Sequence, residues 1–278
     1  METLKEGSVD LIITDPPYGI NMMGKTSNTD WDNMSSEDYC IFLKDFFYSA
    51  YKVLKEGGTM WMFCARTNIP IVFSALEEFN AQIISDKEIK LELNLENWLT
   101  YARQKGRGAN TKLKSQAEEV LHFSKGKKYY YSSIEYLREV VVPYVKDGKP
   151  RGWFLDQTDG IRKRWSGVGN VLCFTSPFFK NKFEPQIHST QKPILLWCEL
   201  IALSSKPDDI VFDPFAGSGS SGVASDMMNR NYIGCELDKD MFDKAIEWVN
   251  NYDKDLVKEY IGNRIRHKET KSGKISLW

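Results

Sequence analysis

Four consecutive residues, Asp15-Pro16-Pro17-Tyr18, carry groups that could hold a flat, amino-bearing ring. The two prolines lack an N–H and fix φ, so the backbone turns rigidly and the carbonyl groups of Asp15 and Pro16 can accept hydrogen bonds. The Asp15 carboxylate is a further acceptor, and Tyr18 offers an aromatic face for stacking. A tight turn with a tyrosine lid also fits these four residues, so the rest of the chain must decide.

A second motif combines glycines with a distant acid. Gly217, Gly219 and Gly222 match G-x-G-x-x-G between a predicted strand and a predicted helix, and Glu236 follows the first glycine by 19 residues. That spacing suits a carboxylate that accepts hydrogen bonds from both hydroxyls of a ribose. The ribose could belong to a nicotinamide cofactor or to S-adenosylmethionine.

Two details favour S-adenosylmethionine. Asp213 stands at the end of the strand before the glycines, where it could receive the ammonium group of methionine but would repel a pyrophosphate. The glycine unit also comes about 200 residues after Asp15, whereas simple dehydrogenases usually begin with it.

The elements that must position both motifs alternate between strand and helix, which is typical of an α/β fold. The apolar run Leu11-Ile12-Ile13 predicts a buried strand that the prolines end. A polar, glycine-containing basic loop is expected between the strands 97–101 and 119–123. The predicted elements are strand 9–14, a helix from Ser36 that Gly57-Gly58 closes, strand 59–64, helix 69–79, strands 97–101 and 119–123, helix 194–203, strand 209–213, a helix to Asn229, strand 232–236 and a helix from about Asp240.

Charge and cysteine usage bound the class of protein. The formal net charge is -1, yet residues 101–131 hold eight Lys or Arg against Glu118 and Glu119. The five cysteines are scattered without a C-x-x-C pair, which indicates reduced thiols in the cytosol, and the three dispersed histidines give no metal pattern. Without a signal peptide or an apolar run of membrane-spanning length, we expect a cytoplasmic, nucleoid-associated protein with no membrane contact.

Three stretches in order, 8–19, 188–193 and 213–220, resemble the amino-group DNA methyltransferases (adenine N6 or cytosine N4) of the permuted beta class, in which the catalytic motif precedes the cofactor motif. The resemblance covers most of the chain except about 126–187 and the tail. It implies a Rossmann-like fold with a mostly parallel central sheet, helices on both faces and an inserted target-recognition region, and it implies S-adenosylmethionine as cofactor.

The resemblance also assigns roles to residues. The implied catalytic residues are Asp15, Pro16, Pro17 and Tyr18. The implied cofactor-binding residues are Asp213, Phe215, Ala216, Gly217, Ser218, Gly219, Glu236, Thr190 and Lys192. Two departures are notable. Similar enzymes commonly carry a further strand with a Gly-Asp pair before the catalytic strand, but here Met1 lies only fourteen residues before Asp15. In addition, Ser189 replaces the first proline of the usual His-Pro-Thr-Gln-Lys-Pro.

The chain divides accordingly into four parts. We expect a catalytic half at 1–125, a target-recognition insertion at 126–187, a cofactor-binding half at 188–262 and a basic tail at 263–278. The insertion is where aromatic residues mix with Lys and Arg. The predicted DNA-binding residues are Arg103, Lys105, Arg107, Lys112 and Lys114.

The expected reaction is methylation of adenine N6 in DNA, with base flipping and direct in-line transfer. Adenine is favoured because similar adenine enzymes usually begin the motif with Asp and cytosine enzymes with Ser. The alternatives are cytosine N4, an RNA or protein-glutamine substrate, a nicotinamide-dependent oxidoreductase and a non-catalytic DNA-binding module. The expected partners are double-stranded DNA, a second copy of the chain, and a sliding clamp that would bind residues 274–278.

Overall fold

The structure is a computed structural model that describes residues 1, 3–19, 33–85, 92–107, 115–127, 129–130, 136–141, 145–146, 149–150, 155–156, 163–167, 169–174, 184–188, 190–262 and 266–267. The helices are α1 (Ser36–Val53), α2 (Ile69–Ser85), α3 (Ile194–Ser204), α4 (Ser220–Met227), α5 (Lys239–Asn251) and α6 (Lys254–Gly262). The strands are β1 (Val9–Thr14), β2 (Leu54–Cys64), β3 (Leu93–Arg107), β4 (Ser115–Lys125), β5 (Tyr136–Val141), β6 (Val145–Lys146), β7 (Lys149–Pro150), β8 (Leu155–Asp156), β9 (Lys163–Gly167), β10 (Val171–Phe174), β11 (Ile210–Asp213), β12 (Asn231–Gly234) and β13 (Arg266–His267).

A seven-stranded sheet with strand order β10-β3-β4-β2-β1-β11-β12 forms the centre of the fold. β1 pairs in parallel with both β2 and β11, β11 with β12, and β10 with β3, whereas β4 is antiparallel to both of its neighbours. The predicted, mostly parallel sheet is therefore confirmed.

Helices cover both faces of this sheet because successive strand residues point to opposite sides. Leu11 and Ile13 of β1 pack in one core with α3 and α4, and Ile12 between them packs in a second core with α1 and α2. Since a strand buried on both faces needs an unbroken apolar run, the sequence of β1 is explained by its central place.

Two predicted boundaries were wrong. Helix α1 ends at Val53, before the predicted glycines, because Leu54 is extended and the Lys52 and Val53 carbonyls accept hydrogen bonds from Gly7 and Ser8. The predicted basic loop is largely a hairpin, since β3 runs to Arg107 and β4 starts at Ser115, with Arg107 opposite Ser115. The sequence does not indicate these extensions, because the polar residues there do not alternate with apolar ones.

The region 126–187 contains strands of more than one sheet. β5, β8 and β9 form a four-stranded sheet with β13 of the tail, and β6 pairs with β7. β10 instead lies at the edge of the central sheet beside β3. Among the helices that the structure describes, none has both the length and the apolar composition needed to cross a membrane.

A carboxylate from outside helix α3 caps that helix. The N-cap residue Pro193 makes no side-chain hydrogen bond, and the Ile194 N–H donates instead to Glu184 Oε1 at 3.0 Å. Glu184 is buried, and burial raises its pKa to about 8, although the bond from Ile194 acts in the opposite direction. The folded protein therefore keeps this group protonated at pH values where the unfolded chain has lost the proton.

We expect Glu184→Gln to remove a pH dependence of stability. The raised pKa of Glu184 makes a contribution that is complete below the unfolded value of 4.5 and is lost as pH rises through about 8. Glutamine keeps the acceptor for Ile194 but cannot ionise, so it should stabilise the fold above about pH 8 by on the order of 1–3 kcal/mol relative to wild type. Urea unfolding at about pH 6 and pH 8.5 measures this difference, and an equal difference at both pH values would contradict it.

Candidate functional site

The two sequence motifs lie side by side although they are far apart in the chain. Asp15 follows the end of β1 and Asp213 ends β11, and the pairs Leu11–Val211 and Ile12–Phe212 put these parallel strands in register. Both acids therefore stand at the carboxyl edge of the sheet, where open α/β sheets bind ligands.

The Asp15 carboxylate has a partner on each oxygen. The Tyr18 hydroxyl donates to Oδ1 at 2.6 Å, and the Lys192 ammonium forms an ion pair with Oδ2. The Asn68 side-chain amide donates to the Tyr18 carbonyl, which anchors the other end of the motif. Each carboxylate oxygen has a second lone pair, so Asp15 can still accept a hydrogen bond from a ligand.

Lys192 is a buried cation shared by two carboxylates. Its side chain is 6% exposed, and besides Asp15 it contacts Glu118 Oε2 at 3.0 Å. Burial by itself would lower the Lys192 pKa, but Asp15 and Glu118 together raise it above its usual value. Lys192, which the resemblance assigned to the cofactor, is thus placed against the catalytic motif.

The segment before α3 is folded by its own side chains so that Lys192 points inwards. Gln191 donates to the Pro185 carbonyl at 3.0 Å and accepts from the Ile187 N–H at 3.0 Å. The Thr190 hydroxyl contacts His188 Nδ1 at 2.9 Å. Thr190, the other predicted cofactor residue of this segment, therefore has an internal partner.

Tyr18 is packed into the core rather than displayed. Its side chain is 8% exposed, and burial together with the nearby carboxylates of Asp15 and Glu118 raises its pKa well above the usual range. The hydroxyl therefore stays protonated and can donate to Asp15. The ring offers little surface to a ligand in this arrangement, and the stacking role of Tyr18 stays a prediction.

Asp213 is buried at the end of β11. Its Oδ2 accepts from the Ser221 hydroxyl at 2.6 Å and its Oδ1 from the Phe215 N–H at 3.1 Å. Burial raises its pKa to about 7; these two hydrogen bonds oppose that rise, and the charges of Asp15 and Glu236 add to it. An incoming ammonium group would have the opposite effect and favour the ionised form.

Two glycines of the second motif have different structural roles. Gly217 has φ +51, and a Cβ there would meet no atom closer than 4.0 Å, so this turn is open to a ligand. At Gly219, a Cβ would lie 3.1 Å from Ala245 and Val249 of α5, so this glycine permits close helix packing.

Glu236 and an apolar cavity lie beside this turn. Glu236 Oε2 accepts from the Gly217 N–H at 2.8 Å, and Oε1 accepts from the Asp238 N–H at 2.9 Å. A cavity of about 210 Å³ opens next to it, and its lining includes Ala216, Gly219, Tyr232, Glu236, Phe242 and Ile246. A mostly apolar pocket with one acid suits a ring attached to a ribose.

The predicted DNA-binding residues divide into three groups. Arg103 is 11% exposed and its Nη1 contacts Glu118 Oε1 at 3.0 Å, which places it in the site and differs from the predicted phosphate contact. Lys105 and Arg107 belong to the C-terminal half of β3. Lys112 and Lys114 lie outside the described residues.

Sequence reasoning missed Glu118 and Asn68. Both contact the catalytic motif or its partner, as described above. The signal for Glu118 was present, because Glu118 and Glu119 are the two acids in the basic stretch 101–131 and stand next to the apolar run of a buried strand. For Asn68 no pattern in the sequence points to the Tyr18 carbonyl.

The fold and the paired motifs define a Rossmann-like methyltransferase architecture. A family model described as DNA methylase, for N6 and N4 methyltransferases, matches residues 9–247, and the chain belongs to this family. The chain is 29% identical over 251 residues to the type II methyltransferase M.HpaI of Haemophilus parainfluenzae, covering 90% of this chain and 71% of that protein.

Solved structures share the fold. The crystal structure of an M1.HpyAVI–SAM complex aligns with a TM-score of 0.56 at 23% identity, over 90% of this chain and 91% of that one. The cytosine-N4-specific PvuII DNA methyltransferase aligns with a TM-score of 0.59 at 16% identity, over 94% of this chain and 86% of that one.

The ionisation of Asp213 should control binding of S-adenosylmethionine, the cofactor predicted from the sequence. Because the Asp213 pKa is raised to about 7, its charge is largely lost at about pH 6 and present at about pH 7.5. We expect the dissociation constant, measured by calorimetry, to fall several-fold between these pH values. In Asp213→Asn this pH dependence should disappear, and an unchanged dependence in that variant would exclude Asp213 as the ammonium partner.

Proposed function

We propose that this protein transfers a methyl group from S-adenosylmethionine to the N6 amino group of adenine in DNA. The observation that carries this proposal is the parallel pairing of β1 with β11, which puts Asp15 and Asp213 at one edge of the sheet. Methyl acceptor and methyl donor would then bind in adjoining halves of one site. Membership of the DNA methylase family supports this arrangement.

Residues of the second motif would hold the cofactor. Glu236 would accept from the ribose hydroxyls, Asp213 would face the methionine ammonium group, and Gly217 leaves the space for close approach. When bound, S-adenosylmethionine supplies a methyl group on a positively charged sulfur that leaves as a neutral thioether. M1.HpyAVI, which shares the fold, has been crystallised as a complex with SAM. A nicotinamide cofactor would bring its pyrophosphate towards Asp213 and is disfavoured.

Residues of the first motif would activate the target base. The amino nitrogen of adenine is a poor nucleophile because its lone pair is delocalised into the ring. If Asp15 and the Pro16 carbonyl accept the two amino hydrogens, the lone pair can localise and point at the methyl group. The amino nitrogen would then take the methyl group in line as the bond from that methyl group to the donor sulfur breaks, without a covalent enzyme intermediate, and Asp15 would accept the proton released from nitrogen and pass it on to water.

The target base must leave the duplex to reach this edge. Flipping costs a few kcal/mol, and an aromatic stack on Tyr18 would return roughly 1–3 kcal/mol. Basic residues would supply much of the remainder through phosphate contacts. We assign this role to Lys105, Arg107, Lys112 and Lys114, and target recognition to 126–187.

Asp15→Ala should abolish methyl transfer while cofactor binding changes little, because it removes an acceptor for the base and leaves the second motif intact. Transfer of tritiated methyl groups to DNA measures the reaction, and calorimetry measures binding of S-adenosylmethionine. We expect a loss of at least about 100-fold in turnover. Normal turnover in this variant would overturn the assignment.

Nucleoside digestion followed by mass spectrometry of the methylated DNA identifies the base. The expected product is N6-methyldeoxyadenosine, and N4-methyldeoxycytidine would establish the alternative. The fold does not separate the two, since the PvuII enzyme, which is cytosine-N4-specific, shares it. Adenine is preferred because Asp15 occupies the first motif position.

Reversing the charge of Lys112 and Lys114 should weaken DNA binding at every sequence alike. Removing one phosphate interaction lowers the slope of log affinity against log salt by about 1. The double variant Lys112→Glu and Lys114→Glu should therefore reduce this slope by about 2 and leave cofactor affinity unchanged. Fluorescence anisotropy over a salt series measures it, and a slope equal to that of wild type would remove these lysines from the interface.

The remaining partner assignments stay proposals. A clamp contact through residues 274–278 concerns a segment outside the described residues. A homodimer and an association with the nucleoid likewise rest on the sequence. Pull-down with a sliding clamp and light scattering of the free protein test the clamp contact and the dimer.

A further inference from the structure

We propose that Glu118 is a positioning residue for methyl transfer, which acts by holding Lys192 against Asp15. The inference rests on the proposed function, in which Asp15 accepts the amino hydrogens of the base. Glu118 itself lies one step behind the reacting groups, because Lys192 stands between it and Asp15.

Four charged groups alternate in sign through the site. Asp15 contacts Lys192, Lys192 contacts Glu118 Oε2 at 3.0 Å, and Glu118 Oε1 contacts Arg103 Nη1 at 3.0 Å. The side chains come from four different places in the fold, namely the loop after β1, the segment before α3, strand β4 and strand β3. Glu118 is 14% exposed and Arg103 11%, so water screens these contacts weakly.

The second carboxylate changes what Lys192 does to Asp15. In a buried site, a lysine with one carboxylate partner loses its proton more readily than a lysine with two. An uncharged Lys192 would hold the Asp15 carboxylate less firmly in place for the ligand. Glu118 also offsets the burial of Lys192, so the ammonium stays protonated and the Asp15 side chain stays in place.

The surroundings of Lys192 define what a variant would change. The aromatic ring of Phe63 lies 4.9 Å from Nζ and the ring of Tyr18 5.9 Å. Among the described residues, the charged or titratable groups that act on Lys192 or on its partners Asp15 and Glu118 are Asp15, Glu118, Arg103, Tyr18, Tyr101, Cys64, His188 and Asp213. Of these, Asp15 and Glu118 are the anions in direct contact.

The neighbouring residue provides a matched control. Glu119 is also on β4 and is 1% exposed, but strand alternation turns it to the opposite face. Its oxygens accept from Arg66 Nε at 2.7 Å, Trp98 Nε1 at 2.8 Å and Thr100 Oγ1 at 3.1 Å. Glu119→Gln therefore removes one carboxylate charge from the same strand without removing a contact to Lys192.

The experiment compares the pH dependence of turnover in wild type, Glu118→Gln and Glu119→Gln. Wild-type kcat should stay level from about pH 7 to 10, because Lys192 titrates above its usual range. In Glu118→Gln, we expect kcat to fall about tenfold over this interval while the KM for S-adenosylmethionine changes less than about threefold. Glu119→Gln should keep the level profile of wild type even where its kcat is lower.

A second measurement reports on Lys192 without using activity. Carbon-13 labelled lysine side chains, followed by NMR, should show Lys192 titrating at lower pH in Glu118→Gln than in wild type. Equal titration and a level kcat profile in a folded Glu118→Gln protein would overturn the inference. Asp15→Ala separates the two proposals. If Asp15→Ala is inactive, a Glu118→Gln protein that behaves like wild type refutes only the positioning role of Glu118. If Asp15→Ala is active, the proposed function is refuted whatever Glu118→Gln does.

Discussion

The parallel pairing of β1 with β11 is the constraint on which the site depends. It joins two strands separated by about 200 positions in the chain and brings the carboxyl ends of both strands to one edge of the sheet. Parallel neighbours end on the same side, so Asp15 and Asp213 become neighbours without any direct bond between them. The charge of Asp15 accordingly contributes to the raised pKa of Asp213.

The site also requires that the buried ammonium group of Lys192, from the second half of the chain, lie at this edge of the sheet. Lys192 does so because the segment before α3 is fixed at two points, by Gln191 on its own backbone and by Glu184 at the helix start. Helix α3 is buried along its whole length. A hydrophobic helix thus positions an ammonium group that would be costly to bury without its two carboxylate partners.

The sequence predicted the α/β class, the order of the central elements and the two motifs, because short apolar runs ended by Pro or Gly identify buried strands. It did not predict the length of the β3–β4 hairpin, since the pairing returns at Arg107 and Ser115 after an irregularity that follows Ala102. It also placed Arg103 on DNA, because a charged residue in a basic stretch looks solvent-exposed until its partner is known. In the sequence, Glu118 is visible only as a negative charge in that stretch, and not as the partner of Arg103.

The balance of charge at the site affects how strongly the methyl donor and its product bind. Among the described groups of the site, four are acids (Asp15, Glu118, Asp213 and Glu236) and two are basic (Arg103 and Lys192), so acids outnumber bases. On the proposed function, the cofactor arrives with a positive sulfur and leaves with a neutral one. The same carboxylates that attract it before the reaction therefore attract it less afterwards, because one of the two positive charges on its methionine part has been lost. The surplus of acids thus favours binding of the methyl donor over the product that has lost its methyl group.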